Sequence, residues 1–148
     1  MRQLLFRGQT RLDGEKVCQL TGKKLPGNWA YGGVVQGEGS FSYIYGGSDP
    51  SWNKYIDEYT VYSSTVGQYI GIDDINGKKI FEDDVVRRFN EFNEYIDTIL
   101  VYWEEDMHCF AGIQVDGDHR FVNFMNPYFE IVGNVFDNPE YNPNNWED

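Results

Sequence analysis

The stretch Gln68-Tyr69-Ile70-Gly71-Ile72-Asp73-Asp74-Ile75-Asn76-Gly77-Lys78-Lys79-Ile80-Phe81-Glu82-Asp83-Asp84-Val85-Val86 decides the fold of this chain. Runs of β-branched and aromatic residues flank Asn76-Gly77, a dipeptide that readily takes the positive φ angles of a type I′ turn. The sequence therefore predicts a β-hairpin with a type I′ turn at Asn76-Gly77. A bend follows at Glu82-Asp83-Asp84, because short polar side chains bond to their own backbone and favour turns. A new strand then begins at Val85.

Further strands are predicted on both sides of this stretch. On the N-terminal side, the runs Trp29–Gln36 and Phe41–Tyr45 are joined by a Gly-rich turn and form a second predicted hairpin. Its period of two places Phe41, Tyr43 and Tyr45 on one face. From residue 66 on, about five or six short strands separated by tight turns are typical of a small barrel or sandwich. The conformation of residues 46–56 is left open.

Three ordered motifs resemble the YopX family of phage and prophage proteins: Val66–Ile72, Asn76-Gly77-Lys78 and Ile80–Val86. The flanking stretches Phe6–Gln9, Gly27–Gly33 and Glu130–Glu140 also resemble that family. Asp83 stands where the family usually has Gly, and we expect the bend to be kept because Asp tolerates the left-handed region better than most residues.

The resemblance implies a mainly β protein whose C-terminal part, residues 66–137, is an SH3-type small barrel. Residues 1–65 would form an additional N-terminal β lobe. The Pro- and Asn-rich residues 138–148 are expected to be a loosely ordered tail, because proline cannot donate to a β-ladder. We expect the second part to be an aromatic-filled β unit whose acidic groups face water.

The charge is concentrated in the second part of the chain. Residues 1–65 hold seven Lys/Arg and six Asp/Glu (+1), whereas residues 66–148 hold five and eighteen (−13). Such a surface repels phosphate, so direct nucleic-acid binding is not expected. It could attract a basic partner, or it could only keep an aromatic-rich protein soluble.

No catalytic, cofactor-binding or metal-binding residue is predicted. Cys18 and Cys109 are isolated and are expected to be reduced structural thiols. A joint site of His108 and Cys109 is not expected, since neighbouring residues on a strand face opposite ways. The second histidine is His119. The acidic clusters Asp73-Asp74, Glu82-Asp83-Asp84 and Glu104-Glu105-Asp106 lack the order of a calcium loop and coincide with predicted turns.

Two functions remain open. The first is that of a non-enzymatic phage or prophage accessory protein that acts by contact with a protein partner or with copies of itself, as a homo-oligomer. The alternative is an acidic decoy that imitates nucleic acid and binds a host DNA-binding protein. No apolar run of about 18 residues is present and Met1–Arg7 is too short for a secretory signal, so a cytoplasmic, non-membrane protein is expected.

Structural roles are predicted for two sets of residues. Four glycines are expected to allow turns or close backbone approach: Gly67, Gly71, Gly77 and Gly133. Seven residues are expected in the core: Trp29, Tyr69, Ile80, Phe81, Val85, Trp103 and Ile131. Arg7 either binds a carboxylate or is a solvated strand residue.

Replacing Gly77 with Val should destabilise the first hairpin, because a β-branched residue at positive φ is badly strained. Thermal unfolding of the variant measures this effect. An unchanged melting temperature would remove the type I′ assignment.

Overall fold

A computed structural model describes residues 3–11, 16–17, 24–25, 29–47, 49–50, 57–124 and 128–146. These residues form antiparallel strands and three one-turn 3₁₀ helices, with no α-helix among them, which confirms the mainly β prediction. Accordingly, none of the described segments is a helix with the length and apolar character needed to cross a bilayer. Cys18, most of the loop at 21–28 and residues 51–56 lie outside the described residues.

The chain divides into two compact units, Met1–Tyr69 (unit 1) and Ile70–Asp148 (unit 2). The strands in chain order are β1 (Phe6–Gln9), β2 (Lys16–Val17), β3 (Lys24–Leu25), β4 (Trp29–Val35), β5 (Phe41–Gly47), β6 (Asp57–Tyr62), β7 (Gly67–Asp73), β8 (Lys79–Phe81), β9 (Asp84–Phe89), β10 (Tyr95–Glu104), β11 (Cys109–Gln114), β12 (Phe121–Val122) and β13 (Tyr128–Asn134). The 3₁₀ helices are Ser63–Thr65, Pro139–Tyr141 and Pro143–Asn145.

Unit 1 contains a sheet in the order β6-β5-β4-β1, with β1 also paired to the start of β7. The two residues that follow β1 are bonded to β6. Thr10 forms a bridge with Val61, and the Arg11 N–H donates to the Thr60 carbonyl at 3.0 Å. The predicted β4–β5 hairpin is confirmed. Along β5, Ser42 and Ile44 are buried, while Phe41, Tyr43 and Tyr45 share the more exposed face, as the alternation predicted.

Arg7 is 6% exposed, and its guanidinium lies 4.6 Å from the centre of the Trp29 ring. The interpretation of Arg7 as a solvated residue is therefore wrong. Trp29 itself is only half-buried. The cation lies over the ring face, where the π electrons attract it.

Unit 2 contains a five-stranded sheet in the order β12-β11-β10-β9-β13. Among its described residues the outer strands β12 and β13 are not paired with each other, so the sheet is open and a closed SH3-type barrel is not confirmed. Apolar side chains pack on both faces. One cluster contains Ile80, Val86, Ile99, Val101 and Phe129, with Ile70 and Ile72 of β7 against it. The other contains Val85, Leu100 and Val135, with Ile113, Phe136 and Tyr141 against it.

The predicted core is correct in part. Ile80, Phe81 and Val85 are buried, whereas Tyr69 and Ile131 are half-buried. The prediction for Trp103 is wrong, because its side chain is 39% exposed and meets Phe110 edge-on at 5.0 Å between ring centres. Trp103 has the alternation of a core residue, but it lies near the end of β10, beyond Leu100, where the pairing with β9 ends.

The predicted hairpin between β7 and β8 is confirmed, but the prediction of a type I′ turn is wrong. A type I′ turn needs positive φ at both central residues, and Asn76 is not among the residues with positive φ, whereas Gly77 has φ 79°. The Gly77 N–H donates to the Asp74 carbonyl at 3.0 Å, and the Asp74 N–H donates to the Lys78 carbonyl at 2.7 Å. This is a three-residue loop in which a turn is followed by a left-handed glycine. The strain expected of Gly77→Val is unchanged.

The bend after β8 is held as predicted, with Asp83 in the left-handed region at φ 72°. Its N–H donates to the Val101 carbonyl at 2.8 Å, and its carbonyl accepts the Val135 N–H at 3.1 Å. The buried Asp84 carboxylate accepts the Phe81 N–H at 2.8 Å. The bend is therefore fixed to β10 and to the segment after β13.

The C-terminal segment, for which the sequence predicted a loosely ordered tail at 138–148, is described as far as residue 146, and its looseness stays a prediction. Residues 138–146 contain two 3₁₀ turns. Tyr141 packs against the Val85 cluster, and the Trp146 ring stacks on His119 at 4.1 Å between centres. The side chains of these two aromatic residues attach the segment to the unit.

The glycine predictions for residues 71 and 133 are confirmed, as is that for residue 77. Gly71 has φ 89°, and a Cβ at Gly133 would collide with Oδ1 of Asn138. That oxygen accepts the Asn134 N–H at 3.2 Å, so it cannot move away without losing a bond. Gly67 lies opposite Arg7 at the start of β7, and its predicted role stays a prediction.

Gly133→Ala should lower the free energy of unfolding by about 2 kcal/mol, because overpacking a filled site costs roughly this amount. Gly33→Ala is the matched control, since a Cβ there would meet nothing within 4 Å. Urea unfolding measures both variants. Equal stability of the two variants would contradict the assigned contact.

Candidate functional site

The described residues of unit 2 form an open cleft of about 370 Å³ at the end of the sheet where β10 begins and β11 ends. We call it the end cleft. It is lined by Tyr95, Ile96, Asp97, Gln114, Asp116, Gly117, Asp118 and Arg120.

A β-bulge shapes one wall of the end cleft. Tyr95 is opposite Phe89 and Asp97 is opposite Arg88, so Ile96 is one extra residue in β10. Bulges of this kind redirect side chains and are common beside functional sites. Here the bulge leaves the Ile96 side chain exposed between an aromatic residue and a buried carboxylate.

Asp97 forms the centre of a buried polar network. Arg88 donates from Nε to Oδ1 at 2.7 Å and from Nη2 to Oδ2 at 2.8 Å, and Gln114 donates from Nε2 to Oδ2 at 2.8 Å. Asp97 is 6% exposed. Burial raises the pKa of the Asp97 carboxyl, but the hydrogen bonds from Arg88 and Gln114 and the charge of Arg88 outweigh it, and the pKa lies below its ordinary value. The carboxylate is therefore kept ionised and committed to its partners.

Gln114 also holds the loop that forms the other wall. The side-chain Oε1 of Gln114 accepts the backbone N–H of Arg120 at 3.3 Å, and the backbone N–H of Gln114 donates to the Arg120 carbonyl at 2.9 Å. Nδ1 of His119 lies 2.8 Å from the Gln114 carbonyl oxygen, and the His119 ring stacks on Trp146. The Asp97 network, the loop and the C-terminal segment are thus joined through one glutamine.

Exposed apolar side chains gather beside the end cleft. Phe92 is 74% exposed, and Tyr95, Ile96 and Tyr128 are each more than 40% exposed. Tyr95 and Tyr128 flank Phe89 as its cross-strand partners. We call these five residues, Phe89, Phe92, Tyr95, Ile96 and Tyr128, the aromatic end patch.

One arginine side chain lies against the aromatic end patch and another lies at the rim of the end cleft. The Arg87 guanidinium is 5.1 Å from the centre of the Tyr95 ring and 5.6 Å from that of Phe89. At the cleft rim, Nη2 of Arg120 is 3.3 Å from Oδ2 of Asp118, and both side chains are about three-quarters exposed. An exposed ion pair of this kind contributes at most about 1 kcal/mol to stability.

The structure places the predicted cysteine and histidine differently from the sequence analysis. His108 lies in the turn before β11 with φ 52°, so it is not a strand residue, and the alternation argument for it is wrong. Cys109 is half-buried at the start of β11, opposite Glu104. His119 lies in the loop after β11, also in the left-handed region. In the described ranges, no group of three or more His, Cys, Asp or Glu residues could hold a metal.

The acidic clusters contribute to local structure. Oδ1 of Asp74 accepts the N–H groups of Asn76 and Lys78, both at 2.9 Å. Glu104 accepts the Tyr102 hydroxyl at 2.7 Å and the Asp106 N–H at 3.2 Å. Burial first, and then the hydrogen bond and charge of Glu104, raise the pKa of Tyr102 to about 12, so this hydroxyl remains a donor.

Sequence reasoning missed the end cleft and its network. A signal was present in β10, where Asp97 has the same alternation phase as the buried Ile99 and Val101. A charged residue in phase with core residues indicates a buried, paired group, because an unpaired buried charge is very costly. The partners Arg88 and Gln114 come from two other strands and could not be identified from local sequence.

Asp97→Asn should lower the free energy of unfolding by about 3 kcal/mol at neutral pH, because it leaves the Arg88 charge buried without its counter-ion. The folded-state pKa of Asp97 is lowered, so its stabilisation is present above the unfolded-state pKa and is lost as the pH falls through the folded-state value. The difference between wild type and variant should therefore shrink on acidification.

Urea unfolding from neutral to acid pH measures this dependence. Asp118→Asn is the control for a carboxylate in an exposed pair and should cost less than about 1 kcal/mol. A loss of stability in Asp97→Asn that is constant with pH would contradict the assigned ion pair.

A family model described as YopX protein matches residues 37–141. No curated protein matches the chain. The matched residues include the three motifs of the β7–β9 region and extend from before β5 to the 3₁₀ helix Pro139–Tyr141. They cover more than half of the 148 residues. The predicted resemblance is confirmed, and the chain belongs to the YopX family.

Proposed function

We propose that this chain is a non-enzymatic phage or prophage accessory protein that acts in the cytoplasm by binding a protein partner or a second copy of itself. The aromatic end patch is the observation that carries this proposal. Its exposed apolar side chains lie together at one end of a sheet, beside a cleft with polar walls. Exposed apolar groups that are contiguous and rimmed by polar residues are typical of protein interfaces.

The composition of the patch supports a binding role. Aromatic residues are enriched at interface centres, since they bury a large area and lose little rotamer freedom. Tyr95 and Tyr128 are also held on either side of Phe89 by the β10–β9–β13 ladder. A patch ordered in this way pays little entropy on binding.

Strand addition at the edge of β13 has less support. The Ile75 N–H donates to the Phe129 carbonyl at 2.8 Å, and the Ile131 N–H donates to Oδ2 of Asp74 at 3.1 Å. The Phe129 carbonyl and the Ile131 N–H, which a partner strand would need, are therefore already used. The side chains of the end patch therefore remain the better supported contact surface.

We also propose that unit 2 is related to an SH3-type barrel. The hairpin of β7 and β8 packs Ile70, Ile72 and Ile80 onto the core of the five-stranded sheet. Its loop also bonds to the edge strand β13, which brings the hairpin beside the open side of that sheet. We take this arrangement as a partly open variant of such a barrel.

The acidic decoy remains the alternative, with weaker support. A decoy needs a continuous double row of carboxylates, whereas Asp74, Asp84 and Asp97 are buried. Exposed acidic residues lie at opposite ends of β10: Asp116 and Asp118 beside its beginning, and Glu105 and Asp106 after its end. A separation along the strand does not produce one phosphate-like row.

The double variant Phe92→Ser/Ile96→Ser should reduce partner capture from infected or lysogenic cells, or self-association in sedimentation velocity, by about tenfold. Truncating interface anchors typically costs more than about 1 kcal/mol each. Val35→Ser/Ile75→Ser is the matched control, because these side chains are exposed to a similar degree at other places. Partner binding that survives the first variant, or is lost equally in both, would overturn the proposal.

A further inference from the structure

We propose that the end cleft binds a basic linear segment of the partner protein, with an Arg or Lys side chain between Tyr95 and the carboxylates of Asp116 and Asp118. This inference rests on the proposed binding function and specifies the chemistry of the partner. Three properties of the cleft lead to it: the charge of its rim, its apolar wall and the way it already holds an arginine.

The charge of the rim favours a cation. Asp97 is neutralised by Arg88, which leaves Asp116 and Asp118 against Arg120 as the charged groups exposed in the cleft lining. Beyond the cleft, residues 66–148 have a net charge of −13, and this field attracts positive segments over distances of about a Debye length. A basic segment is therefore the partner whose charge is complementary.

The apolar wall suits the long stem of Lys or Arg. Tyr95 and Ile96 line the same cleft and are both exposed. Long cationic side chains lay their methylene groups on apolar surface and keep the charge near carboxylates. The Arg87 guanidinium lies 5.1 Å from the centre of the Tyr95 ring and occupies that ring face, so the stem of the bound side chain lies along Ile96 and the remaining surface of Tyr95.

Arg120 occupies part of this site as an internal competitor. Its guanidinium meets Asp118 at 3.3 Å in a highly exposed geometry. Such a pair is weak, so the Arg of a partner can replace it at little cost. In contrast, the backbone of Arg120 is fixed by Gln114, so the wall remains in place when the side chain moves away.

The test uses the full chain and a short synthetic peptide of alternating Arg and Leu, with a Glu-Leu peptide of the same length as the control of opposite charge. Isothermal titration calorimetry should detect the Arg-Leu peptide, with an affinity that falls as salt is added. Asp116→Asn/Asp118→Asn should weaken this binding about tenfold, since both rim carboxylates are lost. Glu105→Gln/Asp106→Asn makes the same change of charge at the opposite end of the sheet and should leave the affinity within about twofold.

A second variant tests the same site because it should increase the affinity for the Arg-Leu peptide. Arg120→Gln removes the competing guanidinium and should strengthen binding of the Arg-Leu peptide about threefold. Lys78→Gln, at an exposed position in the β7–β8 loop, is the matched change of charge and should have a smaller effect. Circular dichroism checks that each variant is folded.

Absence of Arg-Leu binding, equal weakening by the two acidic double variants, or equal effects of Arg120→Gln and Lys78→Gln would each overturn the inference. Equal weakening would mean attraction by net charge alone. The proposed function fails separately, since it depends on whether Phe92→Ser/Ile96→Ser removes partner capture or self-association.

Discussion

The Asp74 carboxylate is the group on which the arrangement of unit 2 depends. One of its oxygens accepts two N–H groups of the β7–β8 loop, and the other accepts the N–H of Ile131 in β13. A single buried side chain therefore closes the hairpin loop and attaches it to the edge of the five-stranded sheet. Without it, three backbone donors in the loop and in β13 would lose their acceptor.

Acidic residues thus have two different physical roles in this protein. Asp74, Asp84 and Asp97 are buried and bonded, against the expectation that the acidic groups of the second part face water. Other acidic residues lie exposed in turns at both ends of β10. The net charge of −13 therefore overstates the negative surface, and the exposed carboxylates beside the end cleft are more informative than the total.

The aromatic residues are also distributed differently from expectation. The buried residues of the two clusters of unit 2 are Val, Ile and Leu apart from Phe129, so the unit is not aromatic-filled. Several large aromatic side chains remain exposed, including Phe92, Tyr95, Trp103 and Tyr128. Exposed aromatic side chains are enriched at protein interfaces, which supports the binding role proposed for the end patch.

The sequence by itself determined the mainly β fold, the hairpins, the bend at Asp83 and the need for glycine at residues 71, 77 and 133. These features depend on alternation and on backbone conformations that few residues allow, and both are local properties. The tertiary structure alone decided the loop type at Asn76-Gly77, the exposure of Trp103 and the joining of Arg88, Asp97 and Gln114. The exposure of Trp103 and the network around Asp97 depend on which strands become neighbours and how far each pairing extends. The loop depends on the Asp74 carboxylate, which also bonds to Ile131, a residue far away in the sequence.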